Sequence, residues 1–313
     1  MEQNPAIETG PRAWRDAALT AAEMKSLLAR NNWRSALSIA LDWGLVFAAF
    51  GARRGGAGRA QRVRGVFVIG GRQLGFAVLM HEAAHHTLFA NRKLNDFAGN
   101  WLCAYPIWTD LAPYRAYHLK HHAKNWTAED PDLGLANKFP VTRASLRRKS
   151  RARSHGPGRL EARAGGARPR SRSSRARSRR VLRQDRRRGR SRLEKNLQGV
   201  VVTNAVLLGI LTLAGRPELY LLWVAAWFTT NSLATRIRSI AEHNMVPDPS
   251  DERRNTRTTL ASWWERLLLA PNRVNFHLEH HLLMTVPFYN LPRLHRLLRE
   301  RGASRARCSR RAT

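Results

Sequence analysis

The chain has 313 residues, 12 histidines, two cysteines and a formal net charge of +33. This length is sufficient for a large core or several membrane spans within one domain. Two cysteines, Cys103 and Cys308, cannot form a disulfide framework or a thiolate zinc site. The charge at first suggests a nucleic-acid binder, but most of it lies in three arginine-rich segments, 51–65, 150–192 and 299–313. We therefore expect no folded basic face and no nucleic-acid partner.

Four apolar runs dominate the chain after a polar start. Residues 1–34 are polar and of mixed charge, which predicts a cytosolic N-terminal segment without a cleavable signal peptide. The apolar runs are 35–50, 66–80, 197–214 and 217–235. A membrane span needs about 20 apolar residues, so the last two runs come close and the first two are short. Only Gly215 and Arg216 separate the last two runs, which predicts a tight helical hairpin.

This pattern predicts an all-α integral membrane protein with about four transmembrane helices and a cytosolic helical cap that carries the histidines. The aromatic stretch 97–108 suits a helix at the membrane interface. We expect one membrane domain over 35–298 and a disordered basic tail at 299–313, in a bacterial inner membrane. The alternative is a soluble bundle of buried helices, although four such runs are too many for most soluble folds.

The arginine-rich segments depart from this pattern. All three are rich in Arg, Gly, Ala and Ser, residues that dominate when GC-rich DNA is translated out of frame. We hypothesise that all three segments are products of frameshifts or sequencing errors, with 51–65 and 150–192 as anomalous inserts, which resequencing of the gene would test. Five arginines at 51–65, in a loop expected outside the cytoplasm, also oppose the positive-inside tendency. The alternative is a disordered basic loop and tail that bind anionic lipid headgroups or nucleic acid.

Ten of the histidines fall into three clusters and one single position. The clusters are HEAAHH at 81–86, HLKHH at 118–122 and HLEHH at 277–281, and His243 follows the fourth apolar run. Positions i, i+3 and i+4 of a helix share one face, so each cluster offers two or three imidazoles to one place. Together with His243 they provide nine nitrogens, which are too many for one metal ion and sufficient for two. Imidazole suits Fe, Zn, Cu and Ni alike, so the ligand type does not select iron.

The remaining histidines are interpreted separately. His155 lies in the basic stretch and His295 on an amphipathic helix, and both are expected to be ordinary surface or core residues. His86 lies about 100° around the helix from His85, which leaves its role open. It could be a metal ligand, a residue that contacts the ligands, or neither. Two membrane hairpins, at 35–80 and 197–235, would return the chain to the same side and bring the clusters together there.

The sequence resembles the membrane fatty acid desaturase superfamily over about residues 66–145 and 197–298. HLKHHAKNWTAEDPD at 118–132 is similar to the second histidine box of that family, and NFHLEHHLLMTVPFYNLPRLHRLL at 275–298 to the third. The resemblance implies four membrane helices, a hydrophobic tunnel for an acyl chain and a cytosol-facing centre of two Fe ions. The histidines that would bind these irons are His81, His85, His118, His121, His122, His243, His277, His280 and His281.

The resemblance also implies the reaction. Removal of hydrogen from an unactivated methylene needs an oxidant stronger than any side chain, which a metal centre that activates O2 provides. Two electrons would come from an external ferredoxin or cytochrome, because the sequence contains no haem, dinucleotide or iron–sulfur signature. The substrate would be a lipid or acyl chain. Four carboxylates are expected to orient ligand imidazoles: Glu82, Glu242, Glu279 and Asp130.

Two alternatives from the sequence stay open. A hydroxylase or ketolase of the same superfamily, acting on a fatty acyl chain, a sterol or a carotenoid, would use the same metal site. An intramembrane zinc metalloprotease would use His81 and His85 as ligands and Glu82 as general base, since these residues match His-Glu-x-x-His. The protease leaves the two His-x-x-His-His triplets unexplained. Metal analysis separates the cases, because two irons favour the oxidase and one zinc the protease.

Overall fold

The computed structural model describes residues 18–51, 59–136, 141–142, 144–145 and 197–302. Within these ranges every regular element is helical, so the expectation of an all-α protein is confirmed. The proposed insert 150–192 lies outside the described residues. So do residues 1–17 of the N-terminal segment and residues 303–313 of the basic tail.

Twelve α-helices are described, with short π and 3-10 turns between some of them. The first half contains α1 Ala21–Leu28, α2 Asn32–Gly51, α3 Arg59–Ala84, α4 Arg92–Ala98, a π turn Gly99–Ala104, a 3-10 turn Tyr105–Ile107, α5 Leu111–Lys124 and α6 Leu133–Ala136. The second half contains α7 Leu197–Leu213, α8 Leu219–Ala226, a π turn Trp227–Asn231, α9 Ser232–His243, α10 Trp263–Leu268, a 3-10 turn Pro271–Arg273, α11 His277–Leu282, a 3-10 turn Phe288–Asn290 and α12 Leu291–Glu300.

Two of the described helices are long and apolar enough to cross a membrane. They are α2, with 20 residues, and the 22-residue stretch Val63–Ala84 of α3. The apolar helix α7 is shorter, and the run at 217–235 is divided between α8, the π turn and α9. Two of the four expected spans therefore meet the criteria of length and composition. Helix α3 begins at Arg59, so the arginine-rich segment 51–65 supplies its first turns.

The hairpin predicted around Gly215 is present. Gly215 has φ +71°, a left-handed conformation that glycine adopts without the steric cost of a Cβ. The amide of Arg216 donates to the carbonyl of Leu211 at 2.8 Å, and the amide of Gly215 donates to that of Thr212 at 2.9 Å. This is the Schellman arrangement, which satisfies the last carbonyls of α7 and turns the chain towards α8.

Helix α3 lies at the centre of the fold. It packs against α2, α5, α8, α9 and α10. Its buried side chains include Phe76 and Leu79, and Phe76 contacts the fully buried Trp223 of α8. Because α3 is central, its last turn carries the first histidine cluster into the interior.

A buried ion pair joins α2 and α3 to the segment before the third cluster. Asp42 and Arg72 are 2% and 6% exposed, and Nη1 of Arg72 donates to Oδ1 of Asp42 at 2.7 Å. Nδ2 of Asn272 donates to the other carboxylate oxygen at 2.9 Å. A Cβ at Gly75 would lie 2.5 Å from that same oxygen, so the close approach requires glycine. The network fixes the position of Asn272, which precedes His277 by five residues.

Replacing Asp42 by alanine should lower the free energy of unfolding by about 3–5 kcal/mol, because it leaves the Arg72 guanidinium buried without its partner. Unfolding of the purified protein in detergent measures the change. The control is Glu218→Ala at the Arg216–Glu218 pair, whose side chains are 39% and 51% exposed and whose loss should cost at most about 1 kcal/mol. Equal losses in the two variants would contradict the structural role of the buried pair.

Candidate metal centre

Four helix ends deliver the predicted histidines to one place. The last turn of α3 carries His81, and His85 follows its final residue. Helix α5 carries the second cluster, in which i, i+3 and i+4 share one face, as the spacing predicts. His243 is the final residue of α9, and α11 consists of the third cluster. These helices end near one another or pack against one another. The imidazoles therefore lie together although the clusters are far apart in sequence.

The first group contains five imidazoles. One ligand atom from each of His81, His85, His118, His122 and His280 lies within 4.8 Å of all the others. Nε2 of His118 is 2.9 Å from Nε2 of His85 and 3.0 Å from Nε2 of His122. Nε2 of His122 is also 3.1 Å from Nε2 of His280. A neutral imidazole has one N–H, so a run of facing nitrogens cannot be satisfied by hydrogen bonds alone and suits a shared cation.

The second group adjoins the first. His121, His243 and His281 offer nitrogens within 4.8 Å of each other, and Nε2 of His277 is 2.8 Å from Nε2 of His243. The ring of His281 is 4.3 Å from that of His122 in the first group. All nine histidines named from the sequence therefore lie in two neighbouring groups, of five and four residues.

The electrostatics of the site favour neutral imidazoles. Burial, reinforced by neighbouring imidazoles, lowers the pKa of His122 to about 2 and that of His243 to about 3. The same causes hold the pKa values of His280 and His281 well below the usual range. At neutral pH these rings keep a free lone pair, which is the form that binds a metal. Among the described residues, Nε2 of His281 is buried without a hydrogen-bond partner, which fits a nitrogen that would bind a metal.

Of the four carboxylates expected to orient imidazoles, Asp130 hydrogen-bonds directly to one. Its Oδ1 lies 2.9 Å from Nδ1 of His121. The same carboxylate accepts hydrogen bonds from the amides of Trp126, at 3.0 Å, and Asp132, at 2.8 Å. These amide hydrogen bonds hold the carboxylate in place. The carboxylate in turn orients the ring of His121, so that Nε2 faces the second group of histidines.

Glu82 and Glu242 make weaker contacts with the imidazoles. Oε1 of Glu82 is 3.6 Å from Nδ1 of His81, while its Oε2 accepts hydrogen bonds from Thr87 and the amide of Phe288. Oε2 of Glu242 is 3.8 Å from Nδ1 of His277. Both contacts exceed hydrogen-bond length.

Glu279 binds a histidine that the sequence analysis set aside. Its Oε1 lies 2.6 Å from Nδ1 of His295, and its Oε2 accepts a hydrogen bond from the hydroxyl of Thr258. His295 is 9% exposed and contacts the ring of Phe276. The expectation of an ordinary residue at 295 missed this link between α11 and α12. The Leu-His-Arg-Leu-Leu run at the end of the third box was the available signal.

His86 belongs to neither group. Its φ of +58° ends the helical path after α3, and its Nδ1 lies 3.8 Å from Oδ1 of Asp96. Arg115 closes the same end of α3, because it donates to the carbonyls of Ala83, at 2.9 Å, and Ala84, at 3.0 Å. Of the three possibilities for His86, the structure favours a residue outside the ligand set.

Comparison with known proteins assigns the chain to a family. The fatty acid desaturase family model matches residues 57–311, more than half of the chain. The chain therefore belongs to the fatty acid desaturase family, and the resemblance found in its histidine boxes is confirmed. It is also 27% identical over 238 residues to a dihydrorhizobitoxine desaturase of Bradyrhizobium elkanii. That alignment covers 72% of this chain and 64% of the relative, so the chain spans less than two thirds of the relative's length.

Substitution Asp130→Asn should weaken metal binding by about 10-fold to 100-fold, because a neutral amide orients and polarises the His121 ring less well. Competition with a chromogenic chelator measures the affinity of the purified protein. The matched control is Glu129→Gln, an exposed carboxylate next in sequence that pairs with Lys124. Unchanged affinity in Asp130→Asn would contradict the orienting role.

Proposed function

We propose that the protein is a membrane-embedded, oxygen-dependent di-iron desaturase that introduces a double bond into an acyl chain. The observation that carries this proposal is the meeting of nine imidazoles, from segments up to 200 residues apart, in two adjoining groups. Membership of the desaturase family supports iron as the metal and desaturation as the reaction.

The residues of the two groups fit two metal ions. One would be held by His81, His85, His118, His122 and His280, and the other by His121, His243, His277 and His281. When bound, the irons supply the activation of O2 that abstraction of hydrogen from a methylene requires. The protein contributes neutral nitrogens and a largely buried site that limits access of water. Asp130 holds the proton of His121 on Nδ1, so Nε2 remains free to bind.

The proposed membrane arrangement follows from the helices. Helices α2 and α3 would cross the bilayer as the first hairpin, and α7 with α8 and α9 would form the second. Because the histidines lie at or after the end of the second helix of each hairpin, both groups would face the cytosol. There they would be accessible to an external ferredoxin or cytochrome that delivers electrons, while the lipid or acyl substrate would enter from the bilayer or its surface.

The alternative function, an intramembrane zinc metalloprotease, receives less support. A catalytic zinc site uses three protein ligands and a water, whereas His81 and His85 share their place with three further imidazoles. Glu82, the expected general base, uses Oε2 to accept two hydrogen bonds from Thr87 and Phe288. The hydroxylase or ketolase alternative uses the same metal site, so only the product distinguishes it from a desaturase.

Metal analysis of the purified protein should find two irons per chain. His280→Ala should remove about half of this iron or more, because His280 belongs to the first group and its helix carries two ligands of the second. His86→Ala is the matched control and should keep both irons, since His86 faces Asp96. One zinc per chain, or equal iron loss in both variants, would contradict the proposal.

A host that expresses the gene should accumulate new double bonds in its pool of acyl chains and free carboxylic acids. The increase should require O2 and be absent with His280→Ala, because the reaction depends on the metal centre. Mass spectrometry of hydrolysed lipids and of free acids, with and without expression, measures it. Hydroxylated or keto products in place of double bonds would support the alternative.

A further inference from the structure

The outer side of α12 carries three exposed arginines, Arg293, Arg296 and Arg299, which we call the arginine face. They are three residues apart, so each lies about 60° around the helix from the one before and all three follow one side of α12. Within the part of the chain that the structure describes, none of them forms an ion pair with a carboxylate. Glu300 is the one carboxylate of the helix, so this side keeps a net positive charge. We expected no folded basic face from the sequence, and α12 shows that this expectation was wrong.

Helix α12 is held in place at both ends. Nη2 of Arg301 lies 2.6 Å from Oε1 of Glu23 on α1, and Nδ2 of Asn290 donates to the carbonyl of Leu27 at 2.8 Å. Its other side is buried against the protein through Leu291, Leu294, His295 and Leu298. Helix α1 precedes the first proposed membrane helix, so α12 would lie on the cytosolic side. A surface that is already fixed in this way loses little conformational entropy when a partner binds.

Helix α12 also contacts the helix that carries the third histidine cluster. Nδ1 of His295 lies 2.6 Å from Oε1 of Glu279, which stands between His277 and His280 on α11. A helix is about 10 Å across with its side chains, so the arginine face lies roughly one helix thickness from the ligands of α11. Because α11 supplies histidines to both groups, a partner on this face would be close to both.

The composition of the arginine face favours an acidic protein over a lipid surface. Exposed large apolar side chains occur on several described helices, but none of them lies on α12. A helix that lies in a membrane interface needs an apolar side to enter the bilayer, and the apolar side of α12 is buried in the protein. Positive charges without apolar anchors instead steer a negatively charged partner into a transient complex.

The proposed reaction requires such a partner. One turnover combines O2, two electrons, two protons and two hydrogens from the substrate, and it yields a double bond and two molecules of water. Each of the two electrons comes from oxidation of one molecule of a reduced one-electron carrier. The carrier must bind, deliver its electron and leave, which suits weak docking that depends on charge rather than a large apolar interface.

We propose that the arginine face of α12 is the docking surface for the electron donor, and that this donor is a small acidic iron–sulfur protein of the ferredoxin class. Two successive encounters at this surface deliver the two electrons of each turnover across α12 and α11. The inference rests on the proposed function, since it takes the histidine groups as the centre that receives the electrons.

Binding of an acidic [2Fe–2S] ferredoxin to the purified protein, and the KM for reduced ferredoxin during turnover, test this surface. The double variant Arg293→Gln, Arg296→Gln should weaken binding and raise this KM by about 10-fold, because it removes two steering charges. The KM for the acyl substrate should not change. Wild-type binding should weaken as salt is added, and the double variant should respond less to salt. The double variant Arg293→Lys, Arg296→Lys keeps the charge and should keep most of the affinity.

The matched control is the double variant Arg253→Gln, Arg254→Gln, which removes two arginines that already pair with Asp251 and Asp248. It should leave ferredoxin binding unchanged. A single turnover of protein reduced by dithionite needs no donor protein, and its product yield should be equal in the wild type and all these variants.

Equal ferredoxin affinity in the wild type and the Arg293→Gln, Arg296→Gln variant would overturn the inference. So would a variant that keeps its ferredoxin affinity but binds less phosphatidylglycerol added to the detergent, which would assign the face to lipid headgroups. A wild-type protein that forms product after reduction by dithionite but binds no ferredoxin would overturn the inference and leave the proposed function standing. Ferredoxin binding that depends on these arginines, in a protein that forms no product after reduction by dithionite, would support the docking surface and contradict the proposed function.

Discussion

The structure depends on the burial of nine imidazoles with their nitrogens directed at one another. Burial lowers the pKa of eight of these rings and so keeps them neutral, and neutral rings with converging lone pairs lack hydrogen-bond partners unless a cation lies between them. The arrangement is therefore costly for a metal-free chain and favourable for a metal-bound one, so metal binding and folding are expected to be coupled. The two groups of histidines form only if each helix that carries a histidine ends at, or passes, a defined position beside the site.

Arginines that bind backbone carbonyls position several of these helices. Arg115 binds the carbonyls at the end of α3, and Arg257 binds those near the end of α9. Arg72, paired with Asp42, binds the carbonyls of Arg266 and Leu267 and so joins α3 to α10. The last four carbonyls of a helix have no partner within it, and a guanidinium has five donors with which to bind them. A few arginines can thus fix the geometry of a site built from distant segments.

Two kinds of control over reactivity would act at the proposed site. In the proposed enzyme the histidine groups would supply the oxidative chemistry that desaturation and hydroxylation share. The position of the bound substrate would determine which carbon lies near the metals, which is an effect of proximity and orientation. The family assignment bears on the first of these.

The sequence by itself determined the all-α class, the hairpin at Gly215 and the three histidine clusters, because these features follow from local periodicity and spacing. The resemblance to the family added His243. A helix places i, i+3 and i+4 on one face whatever surrounds it. Tertiary structure alone decided that His121 separates from His118 and His122 into the other group, that Glu279 binds His295, and that Asp42 finds Arg72 and Asn272. The hydrogen bonds from Arg257 to the carbonyls of Ala241 and Ile240 likewise join separate segments. Such contacts depend on the packing of helices far apart in sequence, which no local pattern encodes.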